Sequence, residues 1–388
     1  MFLFTFLVMR SKNKQRVTAS EIARQVGVSR PVVSTVLSGG KSTIGVSDAL
    51  REEIRRVASE LGYRPNAAAR AMVRQKTQHV GVLIVNSRAD PHTAPELYST
   101  ILGINFALEQ TDYITSLIRI EDVRDAICTG SRALQEEVVD GVIVLGAVPA
   151  DLREKVEALF RQVVWVDTNV RDEVGCVTRD ETGVGVRVGQ EIARRGYERA
   201  VLLTRTYDLQ RSHYSLPHRE EGLRMTCEQR GVGFEKLQVD LEDDIRRVRV
   251  NSDRVMGFPE LVEGYLSEYM QPGVAMVALD ETRAGIITRA ASYLRRRVGE
   301  DFGLVSCDGL TPKMHAVWPD LSRVAYDRYS AGELAAQLML DALNSGGGAQ
   351  PSKVLPLKWI EGDTLPSRSS RSTLAHVSGR YQNPHSKG

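Results

Sequence analysis

Residues 17–37 read VTASEIARQVGVSRPVVSTVL. Thr18 or Ala19 opens a first helix, whose apolar residues Ile22, Ala23 and Val26 fall at helical spacing before Gly27 stops it. Ser29 is a good cap for a second helix, and Pro31 sits in its first turn, where a missing N–H costs little. Val32, Val33, Val36 and Leu37 supply the apolar side of that helix. Two helices joined through a glycine turn form a DNA-reading geometry, because the second can lay its first side chains in the major groove. Further on, Ser47 caps a third helix carrying Ala49, Leu50, Ile54, Val57 and Leu61, which Gly62 closes. Residues 17–62 are therefore expected to be a three-helix headpiece.

Working outward, Tyr63, Arg64, Pro65 and Asn66 precede the run AAARAM at 67–72. Pro65 pushes Arg64 towards extended backbone, whereas the alanines favour a short helix. So short a helix with little apolar bulk cannot hold alone in water. Residues 63–77 read as a hinge whose helix is conditional. Charge points the same way. Residues 1–76 hold 14 Lys and Arg against five acids, a net +9. The other 312 residues stand at −7, although the whole chain is only +2. A basic head on a mildly acidic body is the asymmetry expected when one end meets a polyanion.

From residue 80 the pattern changes to strand–helix alternation. Apolar runs at 80–85, 114–118, 142–145, 163–166, 200–203, 274–279, 303–306 and 354–360 read as strands. Amphipathic stretches at 97–108, 124–138, 182–195, 220–230, 259–269, 284–297 and 330–343 read as helices. Such alternation implies parallel sheets with helices on both faces. Roughly 290 residues of it exceed one compact core, so two lobes are expected within 78–366. The first takes about 78–168 and 327–352, the second about 169–326 and 353–366.

The ends and the cysteines carry less. The apolar stretch 1–9 is too short to span a bilayer and lacks the charged start and cleavage site of an export signal. Met9 is taken as the start, with 1–16 a disordered arm. The polar segment 367–388 has no apolar periodicity and is expected to be disordered. Cys128, Cys176, Cys227 and Cys307 are scattered, as reduced thiols of a cytoplasmic protein would be.

The stretches VTASEIARQVGVSRPVVSTVL, VSDALREEIRRVASELGYRPN and AAARAM match, in order and spacing, the headpiece and hinge of the lactose-repressor (LacI/GalR) family. The resemblance is strong over about 17–75 and looser over 78–362. It implies an α headpiece with a hinge helix before a two-lobed, periplasmic-binding-protein-like α/β sensor. The implied function is a DNA-binding transcriptional repressor, a homodimer on a pseudo-palindromic operator in double-stranded DNA, answering to a small carbohydrate-like effector. Matched to the family's base-reading sites are Arg30, Pro31 and Thr35. Arg30 can form a bidentate pair with guanine, worth about 1–3 kcal/mol of discrimination. Pro31 offers only apolar contact, and Thr35 a hydrogen bond or a methyl contact. Thr18, Ser29 and Ser34 match phosphate-contacting positions, which set register rather than sequence. The hinge adds Asn66, Arg70 and Met72, the last standing where a minor-groove leucine wedge is usual.

In the sensor the resemblance implies ligand contacts at Asp167, Arg219 and Asp308, with Asp280 and Glu96 as further candidates. Asp167 follows the run 163–166, Arg219 stands three residues before Gly222, and Asp308 follows 305–307. Two carboxylates and an arginine suit the vicinal hydroxyls of a sugar or ribose. The same three residues could instead form a salt bridge between the lobes. Ala94, Pro95, Glu96 and Leu97 replace a family pattern rich in aromatics, which shifts the expected ligand towards a more polar or cationic one. Leu279 with Asp280 stands where the family has Asn and Asp. Trp165, Phe258 and Trp318 are candidate replacement platforms.

The rival classes find less support. Gly183, Gly185 and Gly189 tempt a dinucleotide-fold reading, but they lie inside a helical stretch and lack the required acid beyond. The seven histidines include no HExxH pair, so no metal or other cofactor is expected. No Ser, His and Asp set points to an enzyme, and a transport-type solute-binding protein would need an export signal and no DNA reader. An activator or a corepressor-dependent regulator of the same family stays open.

Overall fold

The computed structural model describes residues 17–37, 45–85, 94–120, 123–129, 132–146, 148–204, 213–241, 247–250, 254–257, 261–309, 321–346, 348 and 350–368. The expected arm with its start at Met9, the tail beyond 368, and the aromatics Phe258 and Trp318 lie outside the described residues. The chain divides into two compact units between Thr77 and Gln78.

The first unit contains α1 (Ala19–Val26), α2 (Arg30–Leu37), α3 (Asp48–Glu60) and α4 (Ala67–Arg74). Thr18 and Glu21 form a reciprocal capping box at the start of α1: the Thr18 hydroxyl accepts from the Glu21 N–H, and the Glu21 carboxylate accepts from the Thr18 N–H. Gly27 ends the helix in the left-handed region at φ 77°, a conformation that costs other residues a steric penalty. Ser47 caps α3. A small core joins the three helices, with Ile22 and Ala23 from α1, Val33 and Val36 from α2, and Ile54, Val57 and Ala58 from α3.

The second unit carries two sheets. The first is six-stranded and wholly parallel, ordered β13-β5-β4-β3-β1-β2. Its strands are β1 (His79–Val85), β2 (Ile114–Ile120), β3 (Gly141–Leu145), β4 (Val163–Val166), β5 (Cys176–Arg179) and β13 (Lys353–Leu355). The second sheet is eight-stranded, ordered β14-β12-β11-β10-β6-β7-β8-β9. It holds β6 (Arg199–Thr204), β7 (Gly233–Leu241), β8 (Arg247–Val250), β9 (Arg254–Gly257), β10 (Val274–Ala278), β11 (Gly303–Ser306), β12 (Ser322–Ala325) and β14 (Lys358–Ile360). Its centre is parallel, while β14, β8 and β9 join antiparallel.

Helices α5 (Ala94–Glu109), α6 (Val123–Thr129), α7 (Arg132–Gln135), α8 (Arg153–Leu159) and α12 (Arg328–Asn344) accompany the first sheet. Helices α9 (Glu181–Arg194), α10 (Ser215–Arg230) and α11 (Glu281–Tyr293) accompany the second. Among the described residues, no helix is long and apolar enough to cross a membrane.

The chain passes between the lobes three times: at Asp180, at Tyr326 and Asp327, and at Pro356 and Leu357. Two of these points differ from the expected boundaries. Residues 176–179 belong to the first sheet, because the short polar strand CVTR gave too weak an apolar signal to be seen. Residues 354–360 are not one strand but two, in different sheets. Pro356 has no N–H for a ladder and ends β13, so the chain leaves one lobe and pairs with β12 of the other.

The glycines that mimic a nucleotide-binding loop have a packing role. Gly185 and Gly189 lie on α9 against α10, and a Cβ on Gly185 would stand 2.1 Å from the Arg219 carbonyl oxygen. Gly222 on α10 meets α9 in the same way at Thr182. Gly185→Val should therefore force the helices apart and lower the unfolding midpoint, at a cost of about 1–3 kcal/mol or more. An unchanged thermal unfolding curve would show that the contact is slack.

Candidate DNA-reading face and interlobe cleft

In the first unit, α2 turns Val33 and Val36 inward and leaves Ser29, Arg30, Pro31 and Ser34 exposed. This division follows from helical spacing: positions 30, 31 and 34 share the face opposite the buried valines. Thr35 is half-buried at the edge of that face, and Thr18 is exposed at the start of α1. Asn66 is exposed and its carbonyl accepts from the Arg70 N–H, beginning α4. Met72 is 84% exposed, an unusual position for a large apolar side chain. Arg70 is half-buried.

In the second unit, three of the five predicted effector residues meet. Asp167 follows β4, Arg219 lies on α10, and Asp308 follows β11, at the carboxyl ends of parallel strands where such folds place ligands. Three further residues complete the cluster: Arg179 at the end of β5, Glu181 at the start of α9 and Arg328 at the start of α12. They flank the crossovers at Asp180 and Asp327, whose side chains cap α9 and α12. Sequence reasoning missed Arg179 and Glu181 because β5 itself went unrecognised, and Arg328 because it stands just ahead of the helical stretch read at 330–343. The signal available was charged residues beside a capping Asp, on both sides in Arg179-Asp180-Glu181 and on one side in Asp327-Arg328.

Five of the six side chains are buried, and Asp167 is half-buried at the edge of the cluster. Arg179 donates through Nε to Asp167 at 2.8 Å and through Nη1 to Asp308 at 3.1 Å, and pairs through Nη2 with Glu181 at 2.9 Å. Arg219 grips Glu181 with Nε at 2.6 Å and Nη2 at 3.0 Å. Its Nη2 also reaches Asp308 at 2.8 Å, and its Nη1 donates to the Leu279 carbonyl. Arg328 donates through Nη2 to both oxygens of Asp308 at 2.9 Å. Asp308 thus accepts from three guanidiniums as well as from the Gly309 N–H.

Burial opposes ionisation of Asp308, but Arg328, Arg219 and Arg179 outweigh it and hold the carboxyl well below its ordinary range. Burial likewise opposes the charge on Asp167, and Arg179 with His213 more than reverses that. Asp167 also takes a hydrogen bond from the Tyr214 hydroxyl, and its own backbone sits in the left-handed region at φ 47°. The Arg179 guanidinium stacks over the Tyr326 ring at 5.0 Å. The neighbouring Cys307 thiol is pushed up to about 12 by burial. It has no acidic thiol chemistry at neutral pH.

The remaining candidates stand apart. Asp280 caps α11, accepting from the Arg283 N–H at 3.0 Å and pairing with that residue's guanidinium at 2.8 Å. Glu96 lies in the first turn of α5, but its side chain is outside the described residues. Trp165 is no platform: it is 3% exposed and packs in the core beneath the first sheet. Among the described residues, no group of His, Cys, Asp and Glu has the arrangement of a metal site.

Two family models match the chain. Residues 18–66 fit the bacterial regulatory proteins of the lacI family, and residues 190–365 fit a periplasmic binding protein-like domain. Catabolite control protein A of Staphylococcus epidermidis (strain ATCC 12228 / FDA PCI 1200) is 24% identical over 88% of this chain and 96% of its own. Among solved structures, the lac repressor dimer bound to operator and the anti-inducer ONPF aligns with a TM-score of 0.70. The two share 18% identity, over 91% of this chain and all of that one. The transcriptional regulator CelR in complex with cellobiose aligns with a TM-score of 0.57 and 21% identity, over 90% and 100% of the two chains.

Proposed function

We propose, for a chain that belongs to the LacI family of bacterial regulatory proteins, that it represses transcription by holding an operator whose release a small polar effector controls. It is a regulator and not an enzyme. The observation that carries this reading is the joining, in one chain, of an exposed helix start at Arg30, Pro31 and Ser34 to a buried charged cluster where two lobes meet. Two copies, each presenting one headpiece, suit a pseudo-palindromic operator, as the lac repressor dimer does on its own. The cytoplasm, where the chromosome lies, is then the working compartment.

The effector is sugar-like or nucleoside-like, a class that includes the cellobiose in the CelR complex. Asp167, Arg219 and Asp308 are its contacts, with Asp280 and Glu96 at the margin. It acts by differential affinity for two arrangements of the lobes, which biases the order of the hinge helix α4. Thr18, Ser29 and Ser34 hold phosphates, Arg30, Pro31 and Thr35 read bases, and Asn66, Arg70 and Met72 engage the operator centre. Arg30→Ala tests the assignment through selection of binding sites from a random DNA pool. Preference should relax at one base pair in each half-site, by about 1–3 kcal/mol. An unaltered selected motif would remove Arg30 from the base-reading set.

A further inference from the structure

Gln75, Lys76, Thr77 and Gln78 lie between the end of the hinge helix α4 at Arg74 and the start of β1 at His79. Gln78 holds its backbone in the left-handed region at φ 59°, a conformation that residues other than glycine avoid. Both of its backbone polar groups are engaged. Its N–H donates to the Asp140 carboxylate at 2.9 Å, and its carbonyl accepts from the Ile114 N–H at 2.9 Å. Asp140 stands immediately ahead of β3 and Ile114 begins β2, the two strands that flank β1 in the first sheet. Asp140 is buried, and its own N–H donates to the His79 carbonyl at 2.8 Å.

The two bonds hold different torsions. The Ile114 bond continues the ladder between β1 and β2 and fixes the carbonyl side of Gln78. The Asp140 bond holds the amide, and with it the rotation about N–Cα that steers the chain upstream towards α4. It is charge-assisted, the stronger kind of hydrogen bond. A residue in so sparsely populated a conformation persists only where its surroundings over-determine it. With the Asp140 bond removed, relaxation of φ to the ordinary negative region would turn the upstream chain by roughly 100° or more. Resting on the reading that α4 engages the operator centre, we propose that Asp140 is a positioning residue for operator binding. It fixes the direction in which the chain leaves the first lobe, and so the separation that two hinge helices can reach on one duplex. It acts through Gln78, at the amino ends of the strands, whereas Asp167 and Arg179 lie at the carboxyl ends. One base pair added at the operator centre changes the required separation by about 3.4 Å, which a fixed departure cannot follow and a freed one can.

Fluorescence anisotropy of the full chain on three duplexes tests this. One is the pseudo-palindrome that the unmodified chain selects from a random pool, and the others have one base pair added or removed at its centre. The unmodified chain should prefer the selected spacing. Asp140→Ala should bind the selected duplex about tenfold more weakly and the other two by about threefold or less, so that the preference narrows. Asp140→Asn keeps an oxygen that can accept from the Gln78 N–H without the charge, and should fall between. If Asp140→Ala does not fold, Asp140→Asn decides alone by the same criteria. A merely structural role would lower all three affinities equally, and that result would overturn the proposal, as would an unchanged spacing preference. An unmodified chain that selects no pseudo-palindrome, or ignores its spacing, would overturn the reading of α4 and the proposal with it.

Discussion

Replacing Arg219 with alanine is expected to destabilise the second unit by about 3–5 kcal/mol, because it strips a buried pair of one partner and leaves the other charged. Glu181 is fully buried and would lose two of its contacts, keeping Arg179 as its one charged partner among the described residues. Asp308 would keep Arg179 and Arg328. The Leu279 carbonyl would also lose its donor. For a unit of this size, such a loss lowers the unfolding midpoint by roughly 10 °C. Arg219→Lys should fall between, since an ammonium keeps the charge but cannot hold Glu181 with a fork. The contrast is measurable by thermal unfolding of the full chain. A midpoint within a degree of the parent for Arg219→Ala would mean that water reaches the cluster and screens it.

Raising monovalent salt from about 50 to about 200 mM is expected to weaken operator binding by about a thousandfold or more. The first unit exposes Arg24, Arg30, Arg55, Arg64, Arg74 and Lys76, while Arg56 is held by Glu53 and Glu60 on its own helix. Engagement of half of those six by each copy of a dimer neutralises about six phosphates, and the dependence on salt scales with that number. The neutral phosphate contacts proposed for Thr18, Ser29 and Ser34 would add register but little slope. Lys76→Ala should flatten the logarithmic slope by about one for each subunit that uses it, and weaken all sequences alike. Equilibrium titration by fluorescence anisotropy at several salt concentrations measures both effects. A slope near zero would remove the polyelectrolyte contribution altogether.

The headpiece was almost fully legible in its residues because every signal there is local. A capping Thr with Glu three residues later, a glycine stop and valines at helical spacing all act within a few positions. The parallel sheets were legible too, since buried strands such as β3 and β10 are unbroken apolar runs. What escaped was set by distant partners. The strand CVTR is specified by pairing with β4 and β13 rather than by its own composition. The hairpin of β8 and β9 is an antiparallel extension beyond β7, read from no apolar run.

The site divides in the same way. Asp167, Arg219 and Asp308 could be placed from strand ends and motif spacing, and they meet. Asp280, equally well placed in sequence, is taken up by the start of α11 through Arg283. Arg179, Glu181 and Arg328 escaped notice, since charged residues beside a capping Asp are a weak local signal and their meeting arises only when two crossovers fold onto one point. Of the two possibilities left open for the trio, a salt bridge between the lobes is present, but Arg179 and Arg328 complete it through Glu181 and Asp308; contact with a ligand remains the proposal.

Selection of binding sites by the full chain from random duplex DNA, repeated with and without added metabolites, bears most directly on ligand-controlled operator recognition. A pseudo-palindrome with two half-sites should emerge, bound far more tightly than other sequences, and at least one small polar metabolite should change that affinity. Uniform, salt-sensitive binding to every duplex, unaltered by any metabolite, would contradict it.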